Sequence, residues 1–455
     1  MVIPQPASGP VARRPGFPVR WTGPTVIMVL ATAYAVFWYV VRPAGEAVLG
    51  YVGQLFGGES ILLFSMALVL ISTLPQVEHI FGGIDHAAIW HRRLAISGSL
   101  LLLPHIQLAA NPAATSAGKT LAVASGSGLA ALVVWAILPR WRTMLPGPVR
   151  HVVGDFLEAR PVQLLRRLLG GYERCRGFHR LTGLFVAAGF LHGLLDASTF
   201  GTVPGLRWSY VVIGGMGLSF YAYRELLARH FLPAHDYQVD DVATLAPGLV
   251  EVSLRPLGKP LKFKPGQFAM IYLETKEGWQ RHPFSISGSA GEPHIRITVK
   301  ALGDHTARLP EAVLPGMPAV VSGPHGRFDR HAGTDHQVWI AGGVGITPFL
   351  SWLRSLEGNL EGTVDFFVTS AGKSPFAEEI TETARAHPGL TVHLVDTDTD
   401  GRLTPEAVLA SVNAEPRRLS VFMGGPDKML RHFGKAFRVA GVQRANIHRE
   451  YFHWR

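Results

Sequence analysis

The sequence has almost no cysteine and relatively few charged residues. One Cys in 455 residues excludes a disulfide framework, a cysteine-based zinc site and an iron–sulfur cluster. Charged residues make up 17% of the chain, whereas an ordinary soluble protein contains about 25%. The mean hydropathy of +0.20 is too high for a soluble enzyme and too low for a protein made only of membrane helices. We therefore expect a multidomain membrane protein with separate apolar and polar halves.

Long uncharged runs are concentrated in the first half of the chain. Six of them cover residues 22–41, 60–77, 94–118, 120–139, 181–195 and 208–223. A helix that crosses a bilayer needs about 20 mostly apolar residues, within a range of roughly 17–25. Four runs meet this length, and flanking residues that reach the interface can extend the last two. The sequence thus predicts an all-α bundle of six transmembrane helices.

The basic residues around these runs are distributed unevenly. Sixteen Arg lie before the first run, between the second and third, between the fourth and fifth, and after the sixth, against two Arg and one Lys on the other side. Positive charge accumulates on the cytoplasmic side. We therefore expect a multi-pass protein of the cell membrane, with both termini cytoplasmic and the first helix retained rather than cleaved as a signal peptide. This topology explains the net charge of +10, and no nucleic-acid partner is expected.

Four histidines stand out in the third and fifth runs. His91 and His105 are 14 residues apart, and His179 and His192 are 13 apart, which corresponds to about 21 Å and 19.5 Å along a helix. Because both helices would run in the same direction, His91 and His179 form an inner pair near the cytoplasmic side. His105 and His192 form an outer pair at greater depth. Each pair could hold one haem iron from opposite faces within a helix bundle.

The helical rotation fits only one of the two helices. At about 100° per residue, 14 steps return to nearly the same face, whereas 13 steps end about 140° away. The fifth helix is therefore expected to bend or rewind, with Gly183 and Gly189 as candidate points. The alternative is that these are core or interfacial histidines, and His86 is a rival ligand. Arg92 and Arg93 either hold haem propionates or follow the positive-inside rule.

The second half changes character after about residue 236, where short β-rich runs alternate with Gly and Pro and a helix-alternating section follows. This pattern favours a barrel followed by an α/β unit. The segments RHPFSIS (281–287), VKALGDHT (299–306) and SGPHGRF (322–328) resemble the FAD-binding barrel of the ferredoxin–NADP reductase superfamily. The segments AGGVGITPFL (341–350), FMGGPDKML (422–430) and the ending HREYFHWR resemble its nicotinamide domain.

Joined to six predicted helices with two histidine pairs, these motifs resemble the NADPH oxidase and ferric reductase family over residues 20–455. The resemblance implies an NAD(P)H-dependent transmembrane oxidoreductase with FAD, two b-type haems and NADPH, with NADH as an alternative. It divides the chain into a cytoplasmic segment (1–21), a haem-binding transmembrane domain (22–235), an antiparallel β-barrel FAD domain (236–332) and an α/β Rossmann-like nucleotide domain (333–455). The expected partners are the lipid bilayer and a small-molecule acceptor at the outer face, and the sequence identifies no protein partner.

The resemblance also implies the residues that contact the flavin and the nicotinamide. The cofactor-binding residues are Arg281, His282, Pro283, Phe284, Ser285, Ile286, Ser287, Val299, Lys300, Gly303, Thr306, Gly323, Pro324, Gly342, Gly343, Gly345, Thr347, Pro348, Gly425, Pro426 and Phe452. Pro283 and Phe284 would form an apolar platform for the flavin, and Ser285 would act catalytically near its reactive nitrogen. Lys300 supplies a cation for the pyrophosphate. The alternative is a barrel strand that ends in an ordinary turn.

Around the predicted nucleotide site, the glycines at 342, 343 and 345 let backbone amides reach a phosphate at a helix N-terminus. Thr347 is expected to cap that helix, with Pro348 at its first position. Gly425 and Pro426 belong to a second loop at the same sheet edge. Gly424 stands where the family often has Cys, so a thiol role is in doubt while hydride transfer is not.

The C-terminus would carry the aromatic residue that covers the flavin. By family analogy this catalytic residue is Phe452, two positions after Glu450, although Tyr451 and Trp454 are rivals and an aromatic that completes a core strand is the plainer alternative. For the ribose 2′-phosphate, Lys373 and Arg402 are candidates for binding NADPH, or they are solvated surface charges.

The acceptor is left open by two departures from superoxide-forming relatives. Position 109 is Ala where superoxide-forming relatives have a further His. Those relatives also have an Arg from the second span near the outer haem, whereas no Arg lies in residues 60–77. Ferric chelate reduction is therefore level with, or slightly ahead of, superoxide production. Two other functions remain as alternatives: a membrane-anchored flavoreductase without haem that donates electrons to a partner protein, and a histidine-based proton transporter.

Overall fold

The protein forms two compact units, Met1–Phe231 and Leu232–Arg455. The computed structural model describes residues 21–72, 74–109, 111, 113–137, 177–227, 234–275, 278–301, 309–358 and 360–450. We call the first the helical unit and the second the two-sheet unit, and each is described by itself.

The described part of the helical unit is built from long helices joined by short turns. They are α1 (Thr22–Val40), α2 (Val48–Leu70), α3 (Pro75–Phe81), α4 (Ile84–Leu108), α5 (Ser116–Ile137), α6 (Thr182–Asp196), α7 (Thr199–Thr202) and α8 (Pro204–Ala222), followed by a π-helical turn, Tyr223–Leu227. Residues 177–180 form a further helical turn ahead of α6. Six of these helices are long, and they occupy the regions of the six predicted spans.

Helix α2 lies at the centre of this unit and packs against α4 and α8. A Cβ atom on Gly53 would lie 2.5 Å from the backbone nitrogen of Ala109, and one on Gly217 would lie 2.5 Å from Cα of Ser65. Small residues at such positions let helix backbones approach closely, as they do between helices in membranes.

The predicted ends of the second and third spans were wrong. The run 60–77 overlaps α2, which begins at Val48 and ends at Leu70. The helix begins before the run does, because Glu59 interrupts the uncharged run but is buried within the helix. The run 94–118 covers the end of α4, a connection and the start of α5. Uncharged runs thus locate these helices without giving their ends.

Three helices in the described ranges are long and apolar enough to cross a membrane. They are Thr22–Val40, Val48–Leu70 and Gly177–Asp196. The length and composition of these helices therefore indicate a membrane location.

The helix that carries His179 and His192 is irregular between them, as the rotation argument required. Leu181 forms a turn between the helical residues 177–180 and α6. The amides of Leu181 and Leu184 donate to the carbonyls of Phe178 and Leu181, both at 2.9 Å. This pattern of hydrogen bonds to the third residue back is that of a 3₁₀ turn, which changes the rotation per residue.

The two glycines predicted for this irregularity have another role. Gly183 and Gly189 lie within α6, where an added Cβ would come within 2.4 Å of the Tyr221 ring and 2.7 Å of Ser125 Oγ, respectively. They are packing glycines, and the prediction that either of them rewinds the helix was wrong.

The two-sheet unit begins with an antiparallel sheet of six strands. They are β1 (Ala234–Ala246), β2 (Leu249–Pro256), β3 (Phe268–Thr275), β4 (Gly278–Ser285), β5 (Ile295–Lys300) and β6 (Pro318–His325), with the short helix α9 (Leu309–Ala312) before β6. The order in the sheet is β4-β3-β6-β1-β2-β5. A bridge between Ile286 and Ile297 joins the two edge strands, so the sheet curls into a barrel around a buried apolar core.

The second sheet is parallel and lies between helices. It contains β7 (His336–Gly342), β8 (Thr363–Ser370), β9 (Leu390–Asp396), β10 (Leu419–Gly424) and β11 (Ile447–Arg449), with α10 (Thr347–Arg354), α11 (Ala377–Ala386), α12 (Pro405–Ser411) and α13 (Asp427–Val439). The order β11-β10-β7-β8-β9 reverses direction beside β7. Ligands of open α/β sheets bind at the carboxyl edge beside such a reversal, here between the loops that follow β7 and β10.

Helix α10 ties the two sheets together through Arg354. Its guanidinium donates to Glu379 on α11 at 2.6 Å and to Glu251 on β2 at 2.8 Å, and to the carbonyl of Ser287 at 3.1 Å. Burial alone lowers the pKa of Arg354, but the hydrogen bond with Glu379 and the charge of Glu251 outweigh it and raise the pKa above its ordinary value. Arg354 is therefore a fixed cation that holds the barrel against the parallel sheet.

Candidate functional site

In the inner pair, the ring centres of His91 and His179 are 6.1 Å apart and their planes are at 88°. His91 Nδ1 lies 2.9 Å from the carbonyl oxygen of Ala67. A carbonyl only accepts, so Nδ1 carries the proton and Nε2 keeps its lone pair for a metal. The ring opposite His179 belongs to His91, so the rival ligand His86 is not needed.

The outer pair has nearly the same geometry. The ring centres of His105 and His192 are 6.3 Å apart, with planes at 67°. His105 Nδ1 donates to the carbonyl of Gly53 at 2.9 Å, and His192 Nδ1 donates to that of Gly118 at 3.1 Å. In these rings too, Nε2 is the nitrogen available for a metal.

These distances fit one iron between two rings. Metal–imidazole bonds are about 2.0–2.1 Å long, and a ring nitrogen lies about 1.1 Å from its ring centre, so two opposed ligands place their ring centres about 6.2–6.4 Å apart. The observed 6.1 Å and 6.3 Å agree with this spacing. Edge-to-face ring contacts span about 4.5–7 Å between ring centres, so the distance alone does not separate the two. The Nδ1 hydrogen bonds, which leave Nε2 free in three of the rings, favour metal ligation. No group of three or more metal-binding side chains occurs among the described residues.

A cavity of about 440 Å³ adjoins the outer pair. His105 and His192 line it together with Gly57, Trp38 and Tyr210. A Cβ on Gly57 would lie 2.8 Å from the ring of His105, so glycine at this position keeps the space beside the ligand open. The size is within the roughly 300–1,000 Å³ of cofactor and ligand pockets. The lining combines apolar and aromatic side chains with charged ones, among them Lys119 and Asp196.

In the two-sheet unit, Ser285 at the end of β4 meets Glu450, which follows β11. Ser285 Oγ lies 3.5 Å from Glu450 Oε1, at the long limit of a hydrogen bond, and both side chains are buried. The amide of Glu450 donates to the carbonyl of Met423 at 2.9 Å, which fixes the carboxylate beside β10. A hydroxyl backed by a carboxylate is thus placed where the barrel meets the parallel sheet.

Several residues predicted to bind cofactor are turned away from the site. The side chains of Ile286 and Val299 lie in the barrel core, and Ser287 is completely buried with Glu251 and Thr298 as hydrogen-bond partners. Their side chains shape the barrel wall, so any contact of these three residues with a cofactor would be made by the backbone.

The two residues predicted to form the flavin platform do not share one face of β4. Pro283 and Phe284 are successive residues of β4, and successive side chains of a strand point to opposite faces. Phe284 packs partly against the barrel core, and both residues are half-buried. Of the remaining predicted residues on β4, Arg281 places its guanidinium 5.6 Å from the centre of the Tyr272 ring, and the ring centre of His282 lies 6.4 Å from that of Phe284.

The two glycine loops of the parallel sheet touch through their backbones. A Cβ on Gly345 would lie 2.3 Å from the carbonyl carbon of Gly424 and from the nitrogen of Gly425, and one on Gly424 would lie 2.3 Å from the carbonyl oxygen of Gly345. The contact gives a steric reason for glycine at 424, where a Cys would push the loops apart. Gly342 packs beside Pro426, because a Cβ added to Gly342 would lie 3.2 Å from the proline ring.

Thr347 does not cap the helix as predicted. A 3₁₀ turn, Gly343–Ile346, precedes α10, and Thr347 is already its first residue with Pro348 next. The Thr347 hydroxyl donates to the carbonyl of Val344 at 3.0 Å instead of accepting from the helix. Gly343 has a φ of +55°, a left-handed conformation that favours glycine.

Lys300 reaches the first of these loops from the barrel. It is the last residue of β5 and is exposed, and its Nζ lies 3.9 Å from the position a Cβ would take on Gly343. Gly323 and Pro324 lie near the end of β6. The predicted residues Gly303, Thr306 and Phe452, and the rivals Tyr451 and Trp454, lie outside the described residues.

The candidate cations for the 2′-phosphate occupy neighbouring loops. Lys373 follows β8 and Arg402 follows β9; both are exposed, and the two strands are parallel neighbours, so the loops share one sheet edge. Asp396 accepts from the amide of Gly372 at 2.9 Å and joins the two loops.

Two carboxylates near the sites were not identified from the sequence as site residues. Glu450 approaches Ser285, and Asp196 lies 3.5 Å from Nδ1 of His192. The signal for Asp196 was its spacing of four residues from His192, which places two side chains on one helix face. For Glu450 the sequence offered only its position before the terminal aromatic residues.

Comparison with known proteins identifies relatives of this chain, and the matching family model lies in the two-sheet unit. Residues 235–426 match the model of a family described as an FAD-binding domain. Ferric reduction oxidase 7 of Arabidopsis thaliana is 27% identical over 271 residues, covering 52% of this chain and 34% of that protein. Dual oxidase 2 of Rattus norvegicus is 29% identical over 166 residues, which are 30% of this chain and 11% of the relative.

A third relative is respiratory burst oxidase homolog protein D of Arabidopsis thaliana, 22% identical over 219 residues, or 43% of this chain and 23% of that protein. The chain spans about a third or less of the length of these three relatives. The motifs that resembled a flavin barrel and a nicotinamide domain therefore lie in a region with recognised relatives. The chain thus carries a segment that matches an FAD-binding domain, and its relatives include proteins named as a ferric reduction oxidase, a dual oxidase and a respiratory burst oxidase.

Proposed function

We propose that this protein transfers electrons from NAD(P)H, through FAD and two b-type haems, to a small-molecule acceptor on the outer face of a membrane. The observation that carries the proposal is the spacing of the two histidine pairs, 6.1 Å and 6.3 Å between ring centres. Two pairs that both match the span of an iron with two axial imidazoles favour haem over isolated core histidines. When bound, FAD accepts a hydride and releases electrons singly, and a haem iron carries one electron at a time.

The helical unit supplies the ligands and their orientation. His91 and His179 would hold one haem, and His105 and His192 the other. The backbone carbonyls at Nδ1 of three of these rings keep Nε2 directed at the metal, as outer-shell partners do in other metal sites. Because each haem would be held by two histidines, the protein would leave no position on the iron for the acceptor, which would therefore be reduced without binding to the metal.

The two-sheet unit supplies the binding of FAD and NAD(P)H. The loops after β7 and β10 present backbone amides at the carboxyl edge of the sheet, where a nucleotide phosphate is bound. Lys300 beside Gly343 adds a cation for a pyrophosphate. The single hydroxyl proton of Ser285, which lies 3.5 Å from Glu450, would turn from the carboxylate to donate a hydrogen bond to the flavin edge where the hydride arrives. Phe452 would cover the flavin face until nicotinamide displaces it.

For the membrane arrangement, we propose six spans with both termini cytoplasmic. Three helices have the length and composition for this, and α4, α5 and α8 lie at the other three predicted positions. The uneven distribution of Arg supports the orientation, because positive loops stay on the cytoplasmic side. The lipid bilayer would then be the partner of the helical unit.

For the coenzyme, we propose NADPH ahead of NADH. Lys373 and Arg402 are exposed on adjacent loops at the correct sheet edge, where a cation recognises the 2′-phosphate. Since Asp396 is engaged by the backbone of Gly372, it is less suited to bind the free 2′-hydroxyl of NADH.

For the acceptor, we propose ferric chelate, with oxygen as the alternative. Ala109 ends α4 beside the outer cavity, where superoxide-forming relatives have a further His. We expect ferric reduction to persist under anaerobic conditions when ferric chelate and NADPH are supplied. Strict dependence on oxygen, with superoxide as the sole product, would contradict this choice and leave the electron path intact.

The proposed haem ligation is tested by removing the outer ligands. We expect His105→Ala or His192→Ala to lose one haem and to stop electron delivery to the acceptor. NADPH should still reduce the flavin, because the two-sheet unit is a separate compact unit. Haem content is measured as the pyridine haemochrome, and retention of two haems in both variants would show that the ligand assignment is wrong.

A further inference from the structure

Asp196 is a buried carboxylate at the end of α6, one helical turn after His192. Its side chain is 3% exposed. One carboxylate oxygen, Oδ1, accepts hydrogen bonds from the backbone amide of Thr115 at 3.0 Å and from the Thr115 hydroxyl at 2.9 Å. The carbonyl of Asp196 accepts from Asn111 at 2.7 Å. These contacts fix the position of the carboxylate, so its second oxygen has a defined direction.

That second oxygen faces the ring of a proposed haem ligand. Asp196 Oδ2 is buried, has no hydrogen-bond partner among the described residues and lies 3.5 Å from Nδ1 of His192. The same Nδ1 donates to the carbonyl of Gly118 at 3.1 Å. A Cβ on Gly118 would lie 1.9 Å from Asp196 Oδ2, so glycine at 118 is what permits the carboxylate to approach the ring.

The other two rings with a described Nδ1 partner differ from His192. His91 and His105 donate to the carbonyls of Ala67 and Gly53, and among the described residues neither has a carboxylate within ion-pair distance. A carbonyl carries a partial charge, whereas a carboxylate carries a full one. In a buried site a full negative charge interacts strongly with any change of charge at a bound metal.

We propose that Asp196 is a positioning residue that holds His192 and lowers the reduction potential of the outer haem. The inference rests on the proposed haem ligation. One electron converts ferric to ferrous iron and removes one positive charge from the site. A nearby carboxylate stabilises the more positive ferric form, so the ferrous haem beside Asp196 is a stronger electron donor to the acceptor.

The test is a potentiometric titration of the purified full-length protein, followed by its haem absorbance. Asp196→Asn removes the charge and keeps the size of the side chain. We expect the potential of the outer haem to rise by the equivalent of about tenfold in the ferric–ferrous equilibrium, or about 59 mV for one electron. The potential of the inner haem should not move, and His105→Ala identifies which wave belongs to the outer one.

Glu46→Gln is the matched control, because Glu46 lines the same cavity but makes no described contact with either ligand ring. An unchanged potential in Asp196→Asn, or an equal rise in Glu46→Gln, would overturn the role of Asp196. If the wild-type protein holds no pair of haems, the proposed function fails first. The two failures are therefore distinguishable.

If Asp196→Asn loses the outer haem, Thr115→Val decides the question. This variant keeps the charge of the carboxylate and removes its hydrogen bond from the Thr115 hydroxyl, which also accepts from the amide of Gly118. The lost donor leaves more negative charge density on the oxygen that faces His192. We expect the potential of the outer haem to fall, in the direction opposite to that of Asp196→Asn. An unchanged or raised potential in Thr115→Val would then overturn the proposal.

Discussion

In the helical unit, four imidazole side chains set the candidate haem sites, whereas in the two-sheet unit the closest approaches of the nucleotide site are between backbone atoms. The ring centres of the histidine pairs are 6.1 Å and 6.3 Å apart. A metal ion can join two rings at this distance only if both side chains can bind it. In the two-sheet unit, the loops at Gly345 and Gly424 leave no room for a side chain. One site therefore depends on which side chains are present, and the other on which are absent.

The largest effect on this contrast is expected from adding one methyl group at Gly345. Gly345→Ala places a Cβ about where the backbone of Gly424 already lies, and overpacking of this kind costs about 1–3 kcal/mol. We expect the loops to separate and the KM for NAD(P)H to rise roughly tenfold or more, since about 1.4 kcal/mol corresponds to tenfold in affinity. Steady-state flavin reduction by NADPH measures this.

Haem content separates this effect from general unfolding. Gly345→Ala should keep the wild-type pyridine haemochrome, because the histidine pairs belong to the other compact unit. Gly258→Ala is the matched control, because no atom of the described residues lies within 4 Å of a Cβ at this position, and its KM should stay unchanged. A normal KM in Gly345→Ala would show that the close approach of the loops is not needed.

The same contrast explains what could be predicted from the sequence. The glycine motifs, the histidine pairs and the order of barrel and parallel sheet were all visible, because each is a local pattern of residues. The ends of α2 and α4 were not, since Glu59 is charged yet buried and the run 94–118 crosses a connection between helices. Burial of a charged residue depends on neighbours that are distant in sequence.

The details of the sites were less predictable for the same reason. The rotation argument predicted an irregularity between His179 and His192, but the turn lies at Leu181 and not at the predicted Gly183 or Gly189, which pack against Tyr221 and Ser125. The contact of Asp196 with His192 has a helical spacing that could have been noticed, while its burial depends on Thr115 in another segment. Ile286 and Val299 were predicted to contact cofactor from motif position alone, and their burial in the barrel core shows that a motif marks a region and not each side chain.

Phe452 tests the contrast from the other side. The resemblance implies that this side chain of the two-sheet unit covers the flavin and controls the access of nicotinamide. Aromatic stacking on the flavin contributes about 0.5–1.5 kcal/mol beyond area burial, and nicotinamide must displace it. We expect Phe452→Ser to lower the KM for both coenzymes by a few-fold. NADH should gain relatively more, because it lacks the 2′-phosphate anchor, so any preference for NADPH narrows.

The register of this residue is tested in the same assay. Trp454→Ser should leave both KM values close to those of the wild type. If Trp454→Ser shows the effect and Phe452→Ser does not, the covering aromatic is Trp454. An effect in neither variant would argue for the plainer alternative, in which the aromatic residue completes the core.

The most direct measurement of the central claim is the ratio of haem to flavin in the purified full-length protein. Absorbance after dithionite reduction, together with the pyridine haemochrome and the fluorescence of released flavin, gives this ratio. Two histidine pairs with ring centres 6.1 Å and 6.3 Å apart should yield reduced b-type bands at two haems per flavin. Flavin without b-type bands would contradict the account and favour a flavoreductase that donates electrons to a partner protein.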